Sequence, residues 1–242
     1  MNDMVKYGLA GALAAAAVAS IFLFNRKSLK AATPERMRAL LFANQALEDL
    51  ISNPTTVSAQ HPAWAVLKSS RALIEAGEVE EARAQLRGLI EDAALPTRIR
   101  LWGWGALRSM GDVPPESAAA EVQGAVVEIP QAIGIDTLAV YAGGTLRYIA
   151  ASGNFISRDT PDDATRAQAQ ELLNFLTSVA ASLIATTDHP EPGIDKVYVT
   201  ALTFAGARYA SAPLKELQER RHPFSKVYLI ATELIERVAR EG

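Results

Sequence analysis

An uncharged N-terminal segment, which runs from Tyr7 to Phe24, constrains this chain more than any other feature. At about 1.5 Å per residue, a helix over this segment is roughly 27 Å long, close to the roughly 30 Å of a bilayer's hydrocarbon core. We therefore expect a single membrane-spanning helix. The residues expected to anchor it in lipid and headgroups are Tyr7, Leu9, Leu13, Ile21, Phe22 and Phe24.

Two other interpretations of this segment stay open. Ala17-Val18-Ala19 fits the small-x-small pattern that precedes a signal-peptide cleavage site. A buried helix of a soluble protein is the second alternative. The most apolar residues follow Ala19, whereas a mature N-terminus is usually polar, and this order favours an uncleaved anchor.

Basic residues flank the segment unequally and predict its orientation. Arg26, Lys27 and Lys30 follow it, and only Lys6 precedes it. The excess of positive charge on the C-terminal side predicts that the rest of the chain lies in the cytoplasm. The sequence contains no cysteine, which fits a reducing compartment without excluding an oxidising one.

Small residues recur at helical spacing along the segment, at Gly8, Ala12, Ala16 and Ser20. Such a stripe lets two membrane helices approach closely, and it is one surface through which a homo-oligomer would form. An alanine-rich helix also produces this pattern by chance, which is the simpler explanation.

After the anchor and its basic flank, residues 1–30, the sequence predicts a helical region over residues 31–113. Prolines at typical first-turn positions predict three helix starts, at Pro34, Pro62 and Pro96. A further helix begins at Glu78, directly after Gly77, because apolar residues then recur at helical spacing.

One part of this region, about residues 62–110, resembles a tetratricopeptide repeat. Gly77-Glu78-Val79-Glu80-Glu81-Ala82, followed by Leu86, Leu89 and Ile90, is similar to the turn and second helix of that repeat. Pro96 comes slightly later than the family's closing proline, and no second copy follows. The resemblance implies packed helical hairpins and a groove for a protein partner.

The stretch Trp102-Gly103-Trp104-Gly105 places two glycines inside a predicted helix, where each costs about 1 kcal/mol relative to alanine. Close approach of a neighbouring helix would explain them. The two indoles lie about 200° apart on a helix, so one of them should meet a second surface. We expect partner contacts at Trp64, Trp102 and Trp104, with packing inside the chain as the alternative for the latter two.

The region from residue 114 to 242 changes its hydrophobic period and predicts an α+β domain. Pro114-Pro115 ends the helical region. Strand-like runs then alternate with two long amphipathic segments, the first of which includes Leu183 and Ile184. We expect an antiparallel sheet of about five strands with helices on one face.

Catalytic and metal-binding signals are scarce. Each of the three histidines, His61, His189 and His222, precedes a proline, a position typical of loops and element ends. The phosphate-binding, dinucleotide and two-histidine metal motifs are missing from the sequence. The only candidate cluster is Asp188-His189-Pro190-Glu191 with Asp195, and it is better explained as a polar loop. We therefore expect no catalytic residue, no metal site and no cofactor.

Together these observations favour a membrane-anchored cytoplasmic scaffold or adaptor that binds a protein partner and is not an enzyme. A small-molecule sensor is the alternative, with a pocket between sheet and helix near Gly143, Gly144 and Gly206. A metal-dependent enzyme is the third hypothesis. A net charge of −3 without a clustered basic face makes nucleic acid an unexpected partner.

Overall fold

The computed structural model describes residues 34–43 and 62–240. Within these ranges the helices form before, between and after the strands of one sheet. The helices that precede the sheet are α1 (Pro34–Leu41), α2 (Ala63–Ala76), α3 (Val79–Glu91), α4 (Thr97–Ser109) and α5 (Glu116–Ala120). The later helices are α6 (Asp163–Val179), α7 (Leu214–Gln218) and α8 (Ser225–Arg240).

Helices α2, α3 and α4 pack around one apolar cluster that includes Trp64, Leu86 and Trp102. Gly77 ends α2 in a left-handed conformation with a φ of 81°, which glycine adopts without steric strain. The helix starts predicted near Pro62, Glu78 and Pro96 are confirmed to within one residue.

Seven antiparallel strands form one sheet in the described residues, in the order β4-β3-β2-β1-β6-β7-β5. Its strands are β1 (Val122–Gln131), β2 (Gly134–Tyr141), β3 (Leu146–Ile149), β4 (Phe155–Arg158), β5 (Ile184–Thr186), β6 (Lys196–Thr203) and β7 (Gly206–Pro213). Strand β1 lies at the centre because it pairs with both β2 and β6.

Alternate residues of β1 point to opposite faces of the sheet, and both faces are covered. Val127 and Ile129 face α6 and α8, where Leu172, Leu176 and Leu234 fill the core. This face is closed, with every one of these side chains buried.

The second face of the sheet contacts α1 and α4. Val126 of β1 lies in one cluster with Leu41, Phe42 and Leu101, and Leu202 of β6 joins them. Because these helices cover the centre of this face, its β7 and β5 end is left more open. Tyr209 is half-buried there and Ile184 is 61% exposed.

Three details of the sequence prediction are wrong. The sheet has seven strands where about five were expected, and helices cover both of its faces where one was expected. Ile184 does not lie in a helix core but begins the edge strand β5. A short apolar run does not distinguish a helix end from a strand, which explains this error.

The α+β class is confirmed. The membrane anchor, from Tyr7 to Phe24, and its basic flank at Arg26, Lys27 and Lys30 lie outside the described residues, so they stay predictions. Within residues 34–43 and 62–240, no helix has the length and apolar character needed to cross a bilayer.

Candidate functional site

Helix α1 is fastened to the second face of the sheet at its C-terminal end. The Tyr141 hydroxyl donates a hydrogen bond to the main-chain carbonyl of Leu41, with an O···O distance of 2.6 Å. Both residues are buried. The end of α1 is therefore fixed by a polar contact inside an otherwise apolar cluster.

A buried ion pair fastens the middle of the same helix. The Arg38 guanidinium binds the Glu128 carboxylate of β1 in a bidentate manner, with Nε···Oε1 at 2.6 Å and Nη2···Oε2 at 2.9 Å. Glu128 is only 1% exposed. Burial raises the pKa of Glu128, while the hydrogen bond and positive charge of Arg38 oppose that rise.

Arg38 also holds the loop that follows β5. Its Nη1 and Nη2 groups donate to the main-chain carbonyls of His189 and Pro190, and the Nη2···O distance to Pro190 is 2.9 Å. One guanidinium thus connects α1, the central strand and this loop, which uses the planar fork geometry of arginine.

The ring of Phe42 contacts two partners. It stacks on the imidazole of His189, with centroids 4.0 Å apart and an interplanar angle of 14°. The Arg38 guanidinium carbon lies 5.0 Å from the same ring centroid, in cation–π range. The stack joins the residue directly after α1 to the loop after β5.

His189 is uncharged at neutral pH. Burial, and then the nearby Arg38 charge, lower the pKa of His189 to about 4, although Asp188 acts in the opposite direction. Its Nδ1 atom is buried and finds no hydrogen-bond partner among the described residues. A proton on this ring would add a poorly solvated charge beside an arginine.

A first cavity of about 620 Å³ opens on one side of the Phe42–His189 stack. Arg38 and Ala39 of α1 form one wall, and Thr186 and Tyr209 of the sheet form the floor. The remaining wall is the loop after β5, through Asp188, His189, Pro190 and Glu191.

A second cavity of about 460 Å³ adjoins the first, and both are lined by Phe42, Thr186, Thr187 and His189. Its other walls come from α4, through Leu101, Gly105 and Arg108, and from the turn between β6 and β7. Arg108 donates to the main-chain carbonyl of Phe204 and carries the positive charge in this cavity. The two cavities differ in charge, since acidic side chains line the first.

This chain matches no family model, no curated protein and no solved structure. The tetratricopeptide resemblance of residues 62–110 therefore stays a prediction, and function has to be argued from the site.

The candidate cluster noted in the sequence is partly assembled. Asp188, His189 and Glu191 line the first cavity, but Asp195 does not. Among the described residues, no three histidine, aspartate or glutamate side chains are placed to hold a metal ion. The loop thus lines a cavity without forming a metal centre in this part of the chain.

The three tryptophans expected at a partner surface lie in packing positions. Trp64 and Trp102 are buried in the cluster of α2, α3 and α4. Trp104 is half-buried, and its ring centroid lies 5.9 Å from that of Phe204 on the sheet. The second surface that one indole was expected to meet is therefore the sheet of the same chain.

Sequence reasoning missed Arg38, Glu128 and Tyr209. Glu128 did carry a signal, because it interrupts an apolar strand that is buried on both faces, where a charge needs a partner. Arg38 lies 90 residues away along the chain, and its pairing with Glu128 depends on how α1 packs on the sheet. Tyr209 is placed by the β6–β7 register, which the sequence left open.

Proposed function

We propose that this protein is a non-enzymatic, membrane-tethered sensor that binds a small molecule between α1 and the sheet. The predicted N-terminal helix would serve as its tether, with the described residues on the cytoplasmic side. The observation that supports this proposal best is the first cavity, whose volume of about 620 Å³ lies in the range of small-molecule sites.

The composition of the walls agrees with ligand binding. Such sites combine apolar or aromatic surface with a few placed polar groups. Here Phe42 and Tyr209 supply aromatic surface, and Thr186, Asp188 and Glu191 supply polar groups. The sequence placed a sheet–helix pocket near Gly143, Gly144 and Gly206; of these residues, Gly206 lines the second cavity, whereas Gly143 lies against Thr97 and Gly144 against Arg166. The space between the sheet and α6 and α8 is filled by side chains.

The connection between site and tether gives the sensor a means of output. Helix α1 lines the cavity through Arg38 and Ala39, with Phe42 directly after its end, and it is also the first described element after the predicted anchor. A ligand that favours one position of α1 would change the position of the chain segment leading to the membrane. The same helix would then both contact the ligand and pass the change to the membrane segment.

A second candidate is the adaptor that the sequence favoured. Its support is two exposed apolar side chains: Ile184 of the edge strand β5, which is 61% exposed, and Ile194 of the loop before β6, which is 92% exposed. Strand β5 is an edge strand, and such strands accept an extended segment of a partner. Changing Ile184 and Ile194 to serine would abolish partner binding in this case and leave small-molecule binding intact.

A thermal-shift screen of the full-length protein in detergent against a metabolite library tests the sensor proposal. Ala39→Trp places an indole in the first cavity, and Ala65→Trp, on an exposed position of α2, is the matched control. We expect a compound that stabilises the wild type and the control but not Ala39→Trp. Stabilisation of all three proteins alike, or of none by any compound, would contradict the proposal.

A further inference from the structure

We infer that the first cavity selects an organic cation, such as an amine or a quaternary ammonium compound. This inference rests on the proposed ligand-binding function and specifies the chemistry of the ligand. It starts from the balance of charge around the cavity. Arg38, Asp188 and Glu191 are the charged side chains among its lining residues.

The positive charge of Arg38 is already engaged. Its guanidinium is bound by the Glu128 carboxylate and by the carbonyls of His189 and Pro190, and it lies against the ring of Phe42. These contacts use four of the five N–H donors of the guanidinium. An anionic ligand would compete with Glu128 and with the two carbonyls for Arg38, and loss of the Glu128 contact would leave a buried carboxylate without its partner. Arg38 is therefore a structural cation and not a free anion-binding group.

The two other charged side chains of the lining belong to the loop after β5 and are both negative. Asp188 and Glu191 are exposed side chains of the loop after β5, and no ion pair of theirs is seen among the described residues. With Arg38 balanced by Glu128, they leave the cavity with an excess of two negative charges. A cation that enters gains from both carboxylates, whereas an anion is repelled by both.

The aromatic floor favours the same ligand class. The Phe42 ring already contacts Arg38 and His189, and Tyr209, whose ring centroid lies 6.1 Å from that of Tyr198, is a further aromatic residue that lines the cavity. A tyrosine face attracts cations within about 6 Å of the ring centroid. The His189 imidazole adds no competing positive charge at neutral pH.

Three compounds of similar size and different charge test this inference on the full-length protein. Choline carries a quaternary ammonium group, 3,3-dimethylbutan-1-ol is its uncharged isostere, and 3,3-dimethylbutanoate is an anionic relative. We expect calorimetry to detect choline binding that weakens with added salt, with much weaker binding of the alcohol and none of the acid.

Charge-removing variants assign the effect to the two carboxylates. Asp188→Asn and Glu191→Gln should each lower choline affinity about 3- to 10-fold, and the double variant more than either. Glu81→Gln, which removes an exposed charge from α3, should leave the affinity unchanged. Equal binding of choline and its isostere, or equal affinity in the double variant and the wild type, would overturn the inference.

The result separates this inference from the proposed function. One outcome is that every compound from the metabolite screen whose binding Ala39→Trp blocks is anionic or neutral. This outcome would overturn cation selectivity and leave the sensor proposal intact. An absence of any ligand sensitive to Ala39→Trp would overturn both. Binding of choline that Ala39→Trp abolishes and the carboxamide variants weaken would support both.

Discussion

Arg38 and Glu128 lie 90 residues apart in the chain and form one bidentate ion pair, with heavy-atom distances of 2.6 and 2.9 Å. The carboxylate is almost fully buried, and the guanidinium also reaches the loop after β5. This pair connects the first described helix, the central strand and the candidate ligand cavity. Its removal should therefore affect both stability and the shape of the site.

Arg38→Met leaves the Glu128 carboxylate buried without its partner. We expect a loss of about 3 kcal/mol in the free energy of unfolding, measured by chemical denaturation. Adding Glu128→Met to this variant should restore part of the loss, because no buried charge then remains. Arg240→Met breaks an exposed pair with Glu236 and should cost less than about 0.5 kcal/mol. Equal losses in the Arg38 and Arg240 variants would refute the structural role given to Arg38.

His189 should make the folded protein sensitive to acid. Its pKa is lowered to about 4 in the folded state, below the ordinary value of 6.5, so the unfolded chain binds more protons between these values. Stability should therefore fall as the pH drops from about 6.5 towards 4. Wild type should lose roughly 1 to 2 kcal/mol more than His189→Phe between about pH 7 and pH 5.

Phenylalanine is chosen at this position because it keeps a ring stacked on Phe42 and removes the titrating group. The two proteins should then have similar stability at neutral pH and diverge only in acid. If the free energy of unfolding fell in parallel for the two proteins from neutral to acidic pH, protonation of His189 would not be the cause of the acid sensitivity.

The two glycines of α4 should respond oppositely to substitution by alanine. A Cβ atom on Gly103 would lie 2.5 Å from the Cγ2 atom of Ile90, whereas one on Gly105 would meet only the end of the Arg108 side chain, at 3.7 Å. Gly103→Ala should lower the free energy of unfolding by about 1 to 3 kcal/mol, because α3 and α4 are already in close contact at this position. Gly105→Ala should gain up to about 1 kcal/mol from helix propensity. Thermal denaturation of both variants checks the signs, and a gain for Gly103→Ala would contradict the packing.

The two tryptophans of α4 should also differ, in how much their replacement by alanine lowers the free energy of unfolding. Trp102 is buried among α2, α3 and α4, and Trp102→Ala should cost about 3 to 5 kcal/mol. Trp104 packs more openly on Phe204, so Trp104→Ala should cost less. Its effect should depend on Phe204: once Phe204→Ala is present, Trp104→Ala should cost less again in a double-mutant cycle. Strict additivity would mean that the two rings do not interact.

Local signals predicted most of the secondary structure of the described residues. Pro62, Gly77 and Pro96 mark helix ends because their backbone preferences are intrinsic to the residue. Close approach of a neighbouring helix was expected to explain both Gly103 and Gly105; it is confirmed at Gly103, where a Cβ would meet Ile90 of α3, but not at Gly105. Such inferences need no knowledge of the tertiary fold.

The candidate site could not be predicted in this way. It depends on long-range contacts, above all the pairing of Arg38 with Glu128 and the stacking of Phe42 on His189. The sequence singled out His189 and its acidic neighbours but gave no indication that α1 packs beside them. Which strands lie at the sheet edge also decides where the cavity opens, and β5 was read as part of a helix.

The most direct test of the sensor proposal is protection of a single cysteine in the first cavity. Because the chain contains no cysteine, Thr186→Cys and Ser178→Cys each provide one thiol, in the cavity and on exposed α6 respectively. Each full-length variant is treated with a thiol reagent, with and without a macromolecule-free extract of host cells. We predict that the extract slows modification of Thr186→Cys and leaves Ser178→Cys unaffected. An extract that leaves both rates unchanged, or slows both equally, would contradict a ligand site between α1 and the sheet.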